Sequence, residues 1–148
     1  MKDKSLLLFE WRQIRLELKN NFTEENLQNV IDWWKHLDYH AQGFDYDNPK
    51  TWPDVWEYIS EEFYTNSGNG LGCFHTVNLA FPDKDPELLL VHDLLHGDIY
   101  LICVVDGWVL NRRSGKLEIY EHVKEDLDII ERHSKEFILD TLKFRDKK

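Results

Sequence analysis

Cys73 is the residue of this sequence best placed for nucleophilic chemistry. It follows the glycine-rich run Asn66-Ser67-Gly68-Asn69-Gly70-Leu71-Gly72, the most flexible stretch by composition, and opens a segment, 73–81, in which Phe74, Val77 and Phe81 fit a two-turn helix. A helix N-terminus stabilises a thiolate, the form that attacks, and so lowers the thiol pKa. His96 or His75 would then be the base that takes the thiol proton. The competing reading is a small buried cysteine packing beside Phe74 and Val77.

A second constellation is His92-Asp93-Leu94-Leu95-His96. On a helix the two histidines stand at i and i+4, one above the other, and would share a metal ion with Asp98 or with a carboxylate such as Glu118 or Glu121. The run looks like the HExxH motif of zinc peptidases, with Asp93 where that family has its glutamate base. The shorter side chain would sit farther from a metal-bound water.

In order along the chain, Gly72-Cys73, His96, Asp106-Gly107 and Val109-Leu110-Asn111 resemble the core of the transglutaminase-like, papain-type cysteine hydrolases. In that family a helix-borne cysteine meets a histidine and an Asp or Asn presented by an antiparallel hairpin. The resemblance implies acyl transfer or amide hydrolysis, with Cys73, His96 and Asn111 as its catalytic residues. Register arithmetic tests the assignment. If Asp106 and Gly107 are the turn, Val105 pairs with Trp108, paired residue numbers sum to 213, and Asn111 faces Ile102. His96 then lies six positions back along its strand, on the order of 20 Å away. Matching the hairpins by their turns puts Asp98 near the family's histidine position, and an aspartate there cannot supply an imidazole base.

Aromatic residues form the third feature. Trp33, Trp34, Trp52 and Trp56 lie close in sequence with Tyr39, Tyr46, Tyr58 and Tyr64. Trp34 falls on the apolar stripe of its helix, whereas Trp33 is turned about 100° from it and is expected to be exposed. With Trp52 and Trp56 it would form a protein-binding patch, unless a neighbouring helix covers it. Arg112-Arg113-Ser114-Gly115-Lys116 reads as a solvated basic turn, with an anion grip as the alternative.

The elements that must position these groups follow from periodicity. Leu7, Trp11, Ile14 and Leu18 share one stripe of a helix over 5–19. Thr23, followed by Glu24 and Glu25, caps a second helix with Leu27, Val30, Ile31, Trp34 and Leu37 inward. Thr51 caps a third over 51–63. β-branched and aromatic residues at 99–105, a return at 108–111 and a third run at 116–121 predict an antiparallel meander. A long helix over 123–144 closes the chain, with Val123, Leu127, Ile130, Phe137 and Leu142 inward. Residues 86–96 favour a helix by their end signals, Asp85-Pro86-Glu87 and Gly97, although Leu88 to Val91 also suits a buried strand. The fold class expected is α+β in a single domain, 1–148: N-terminal helices, a three-stranded antiparallel meander and a long C-terminal helix.

A net charge of −10, from 28 acidic against 18 basic residues, opposes binding to nucleic acid or anionic membrane. Two cysteines are too few for a disulfide framework, and no long apolar segment opens the sequence, so a cytoplasmic location is expected. No motif calls for a cofactor. The sequence on its own favours a small acidic binding or regulatory accessory protein with a protein partner, because the triad fails its distance check. A thiol hydrolase at Cys73 and a metallohydrolase at His92 and His96 are the alternatives.

Overall fold

The computed structural model describes residues 4–37, 48–52 and 66–146. Helix α1 spans Lys4–Asn20 and helix α2 spans Glu24–His36. Both follow their apolar stripes: Leu7, Trp11 and Leu18 are buried on α1, and Leu27, Val30, Ile31 and Trp34 on α2. Thr23 caps α2 as its sequence predicts, its Oγ1 accepting from the Asn26 amide at 3.1 Å. A short 3-10 turn, Pro49–Thr51, precedes Trp52. The expected helix over 51–63 lies mostly outside the described residues, as does Trp56.

Helix α3, Asn66–Ala80, begins about two turns earlier than composition predicts and contains the glycine-rich run. Packing explains this. A Cβ at Gly70 would come within 2.8 Å of the Leu101 carbonyl oxygen, and one at Gly72 within 2.7 Å of the Trp34 ring. The glycines let α3 lie against both α2 and the sheet, which offsets a helix-propensity cost of about 1 kcal/mol each. Trp11 and Trp34 both donate their indole N–H to Thr76 Oγ1, at 2.9 and 3.0 Å, and Thr76 donates to the Gly72 carbonyl at 2.8 Å. One hydroxyl thereby ties three helices at the point of closest approach.

The sheet is antiparallel and five-stranded: β1 Glu87–Asp93, β2 Asp98–Val105, β3 Trp108–Val109, β4 Glu118–Ile119 and β5 Leu127–His133, in the order β4-β3-β2-β1-β5. The α+β class holds, and the expected three-stranded meander, β2-β3-β4, is extended beyond β2 by two further strands, β1 and β5. Residues 86–96 are therefore not a helix. Leu88 and Leu90 join the core beneath the helices, while Leu89 and Val91 join a second cluster with Tyr100, Ile102, Val109, Val123 and Leu127 on the other face. A strand apolar on both faces has no alternation to reveal it.

Between β2 and β3 the turn is the expected one, with Asp106 at φ 50° and Gly107 at φ 82°. Val105 pairs with Trp108 and Val104 with Val109, so the register matches the sum of 213. The third run of the meander is shorter than expected, because β4 gives way to a helical turn α4 at Tyr120–Val123.

The long C-terminal helix is also corrected. Strand β5 occupies its first half, and helix α5, Lys135–Asp146, begins only after Ser134, whose Oγ accepts from the Phe137 amide at 3.2 Å. Pairing with β1 shifts between Leu90 and Val91, which face Glu131 and Ile129, so Ile130 is the extra residue of a bulge and is exposed. Phe137 is exposed too, whereas Val123, Leu127 and Leu142 are buried as expected.

Candidate functional site

Helix α3 carries Cys73 over the sheet, and the end of β3 brings Asn111 to the same place. The two line one cavity of about 90 Å³ with Ile31 and Lys35 of α2, Asn69 of α3, and Arg112, Arg113 and Gly115 of the following loop. That loop is held against α2 by Gln28, which donates to the Gly115 carbonyl at 2.9 Å and accepts from the Leu117 amide at 2.7 Å.

Cys73 is 1% exposed, and burial pushes its thiol pKa well above the ordinary cysteine range. The helix begins at Asn66, so Cys73 stands two turns inside it, where the dipole gives little help. The thiol is neutral in this conformation. Cys103 on β2 is likewise buried with a raised pKa, by burial first and by Cys73 second.

Asn111 faces β2 at the level the register predicts. Its Nδ2 donates to the Leu101 carbonyl and its Oδ1 accepts from the Cys103 amide, both at 2.7 Å. The carboxamide bonds as a further rung of the ladder would, just beyond the 3.0 Å bond from the Leu110 amide to the Cys103 carbonyl. It is satisfied by backbone and not turned toward an imidazole.

His96 lies in the β1–β2 turn, with its Nδ1 2.8 Å from Asp93 Oδ2, and it is not among the residues lining the cavity. His75 is buried two residues beyond Cys73, edge-on to Phe74. A step of two residues turns it roughly 200° around the helix from the thiol. The structure thus brings Cys73 and Asn111 together and leaves His96 apart. Asp98, at the start of β2, bonds Arg113 Nε at 2.6 Å.

The metal reading loses its helix. His92 sits within β1, paired with Ile99 and Asp128, and His96 in the turn beyond it. Among the described residues no three His, Cys, Asp or Glu side chains converge to hold a metal ion. The aromatic patch loses its exposure. Trp33 is 7% exposed, with its Nε1 donating to Glu10 Oε1 at 3.1 Å and its ring edge-on to Trp34. Trp52 is fully buried and meets the His133 ring edge-on at 5.1 Å.

Sequence reasoning missed a polar cluster at the end of β1. Asp93 is fully buried; its Oδ1 accepts from the Leu95 and His96 amides, and its Oδ2 from Tyr100 Oη at 2.6 Å, His96 Nδ1 and Arg112 Nε at 3.3 Å. Burial alone would raise the carboxyl pKa, but the hydrogen bonds from Tyr100 and His96 and the Arg112 charge outweigh it and hold the group at about 2. Arg112 is 2% exposed, so the basic turn is solvated only in part. Asp93 closing the run Leu88 to Val91 was the one available signal, since a charged residue in a buried strand needs partners.

No protein-family model matches the sequence, and no curated protein matches it. Solved structures do. Legionella pneumophila LapG superposes with a TM-score of 0.76 at 13% identity, over 98% of this chain and 90% of LapG. A calcium-bound LapG structure gives 0.73 at 14% identity, over 92% of this chain and 78% of the other. The chain therefore shares its fold with LapG. The reading of a binding or regulatory accessory protein is overturned by this fold likeness, and Trp33 and Trp52, two residues of the aromatic surface it relied on, are buried.

Proposed function

We propose that the chain is a thiol hydrolase or acyltransferase of the transglutaminase-like type, with Cys73 as its nucleophile. The observation that carries this reading is the lining of one cavity by Cys73 on the helix and Asn111 just beyond strand β3, in a fold matched along 98% of the chain. Cys73 would lose its proton and attack an acyl carbon; the leaving amine or alcohol would take up a proton, and water or an amine would then release the thioester. Because burial keeps the thiol neutral, the cavity has to open before the sulfur reacts, and the base has to come from outside the set Cys73, His96 and Asn111 as they stand.

A second reading, the same scaffold without the thiol step, is favoured by one observation: Asp98, ion-paired to Arg113, stands where the resemblance calls for histidine. Iodoacetamide labelling at neutral pH separates the two. The hydrolase reading expects Cys73 to be labelled at least tenfold faster than Cys103 in folded protein, and an acyl-enzyme adduct with an activated ester that Cys73→Ala abolishes. Equal, slow labelling and no adduct would leave the scaffold without thiol chemistry.

A further inference from the structure

We propose that α1 is the interface of a parallel homodimer, its outward face pairing with the same face of a second copy of this chain. The inference goes beyond the thiol reading and does not need it, because no residue of α1 lines the cavity at Cys73.

Helix α1 is apolar on two sides. Leu7, Trp11 and Leu18 are buried, and through them the helix packs on α2 and α3. Leu6, Phe9 and Leu16 lie on the opposite side and are 45%, 59% and 43% exposed. A face that met only water would need none of these large side chains. With Gln13 and Asn20, also exposed, they step by three, four, three and four residues. That is the seam of a coiled coil, with Leu6, Gln13 and Asn20 at position a and Phe9 and Leu16 at position d. The 17 residues of α1 carry a little more than two heptads of it.

The flanking charges select the partner. In this register Arg12 and Lys19 occupy position g, and Glu10 and Glu17 occupy position e. Parallel helices set each g residue against the e residue five places further along the other chain, so Arg12 meets Glu17 of the second copy, and two-fold symmetry makes that contact twice. Antiparallel helices would set g against g and e against e, like charge against like. Both partners are free: neither the Arg12 nor the Glu17 side chain has a hydrogen bond or ion pair among the described residues, whereas Glu10 already accepts from Trp33 Nε1 at 3.1 Å. Gln13 adds a second constraint, because a parallel, in-register pair sets it against its own copy, where the two carboxamides bond and fix the register at some cost in stability. A face this small gives a weak dimer, since stable interfaces take about 20 residues a side.

The test is sedimentation equilibrium of the full chain at low ionic strength. Over about a hundredfold range of concentration a monomer–dimer equilibrium is expected. Arg12→Glu and Glu17→Arg, exposed changes that leave the core untouched, should each weaken dimerisation about tenfold by setting like charges face to face. Mixing the two single variants places opposite charges at both contacts and should restore dimerisation, a recovery that a folding defect cannot produce. A chain that stays monomeric throughout, a trimer or larger species, single variants that dimerise as the wild type does, or no recovery in the mixture would each overturn the proposal. Cysteine labelling reads none of these quantities, so this failure and failure of the thiol reading are separable.

Discussion

Trp34 lies against Gly72 so closely that a methyl group added at the glycine would meet the indole at 2.7 to 2.9 Å. Gly72→Ala therefore sets two effects against each other. Helix propensity favours alanine by about 1 kcal/mol, whereas overpacking a buried contact costs about 1–3 kcal/mol. Because Trp34 is buried and its indole is tied to Thr76, the clash should win, and urea denaturation should show a net loss of about 1–2 kcal/mol. A more stable variant would contradict the helix-to-helix approach described.

Thr76→Val keeps the shape of the side chain and removes the acceptor shared by the Trp11 and Trp34 indoles. Losing one buried acceptor for two donors should cost about 2–4 kcal/mol, against less than about 1 kcal/mol for Thr76→Ser, which keeps the oxygen. Comparing thermal midpoints of the two variants checks this. Similar midpoints would mean that the hydroxyl is not the tie.

Asp93 predicts a pH dependence whose sign follows from its lowered pKa. The folded carboxyl titrates at about 2, below its ordinary 3.8, so its stabilising effect is present at neutral pH and fades as pH falls through that interval. The effect amounts to about 2 kcal/mol. Wild type and Asp93→Asn should accordingly differ most at neutral pH and converge from about pH 5 toward about pH 2. A stability difference that stays constant with pH would refute the assignment.

Asn111→Ala removes both bonds to the β2 backbone and leaves the Leu101 carbonyl and Cys103 amide buried without that partner. A loss of about 2–4 kcal/mol in unfolding free energy is expected, together with faster hydrogen exchange at the Cys103 amide. If Asn111→Ala were as stable as wild type, the carboxamide would be free for a role other than extending the ladder.

Much of this architecture was legible in the residues themselves. Helices α1 and α2 follow stripes led by Trp11 and Trp34, and Asp106-Gly107 fixed a hairpin register that placed Asn111 opposite Ile102. Three features were hidden for physical reasons. The run Leu88 to Val91 is buried on both faces, so it lacks the period that separates strand from helix. Ile130 is displaced by a bulge, which made a strand look like the middle of a helix. The glycines before Cys73 read as flexible because their use, close approach to Trp34 and Leu101, depends on residues far away in sequence. At the site, Cys73 and Asn111 were found, but Arg112 was taken for a surface charge, since its partner Asp93 is 19 positions away.

Strand β5 reaches the sheet from the opposite side to its sequence neighbour β4, and it follows the other four strands of the sheet in the sequence. Until it docks, β1 presents an open row of main-chain donors and acceptors flanked by leucines, a template on which a second nascent chain can add. The bulge at Ile130 and the charges of Glu131 and Arg132 twist and guard the finished border, so the hazard belongs to synthesis and not to the mature molecule.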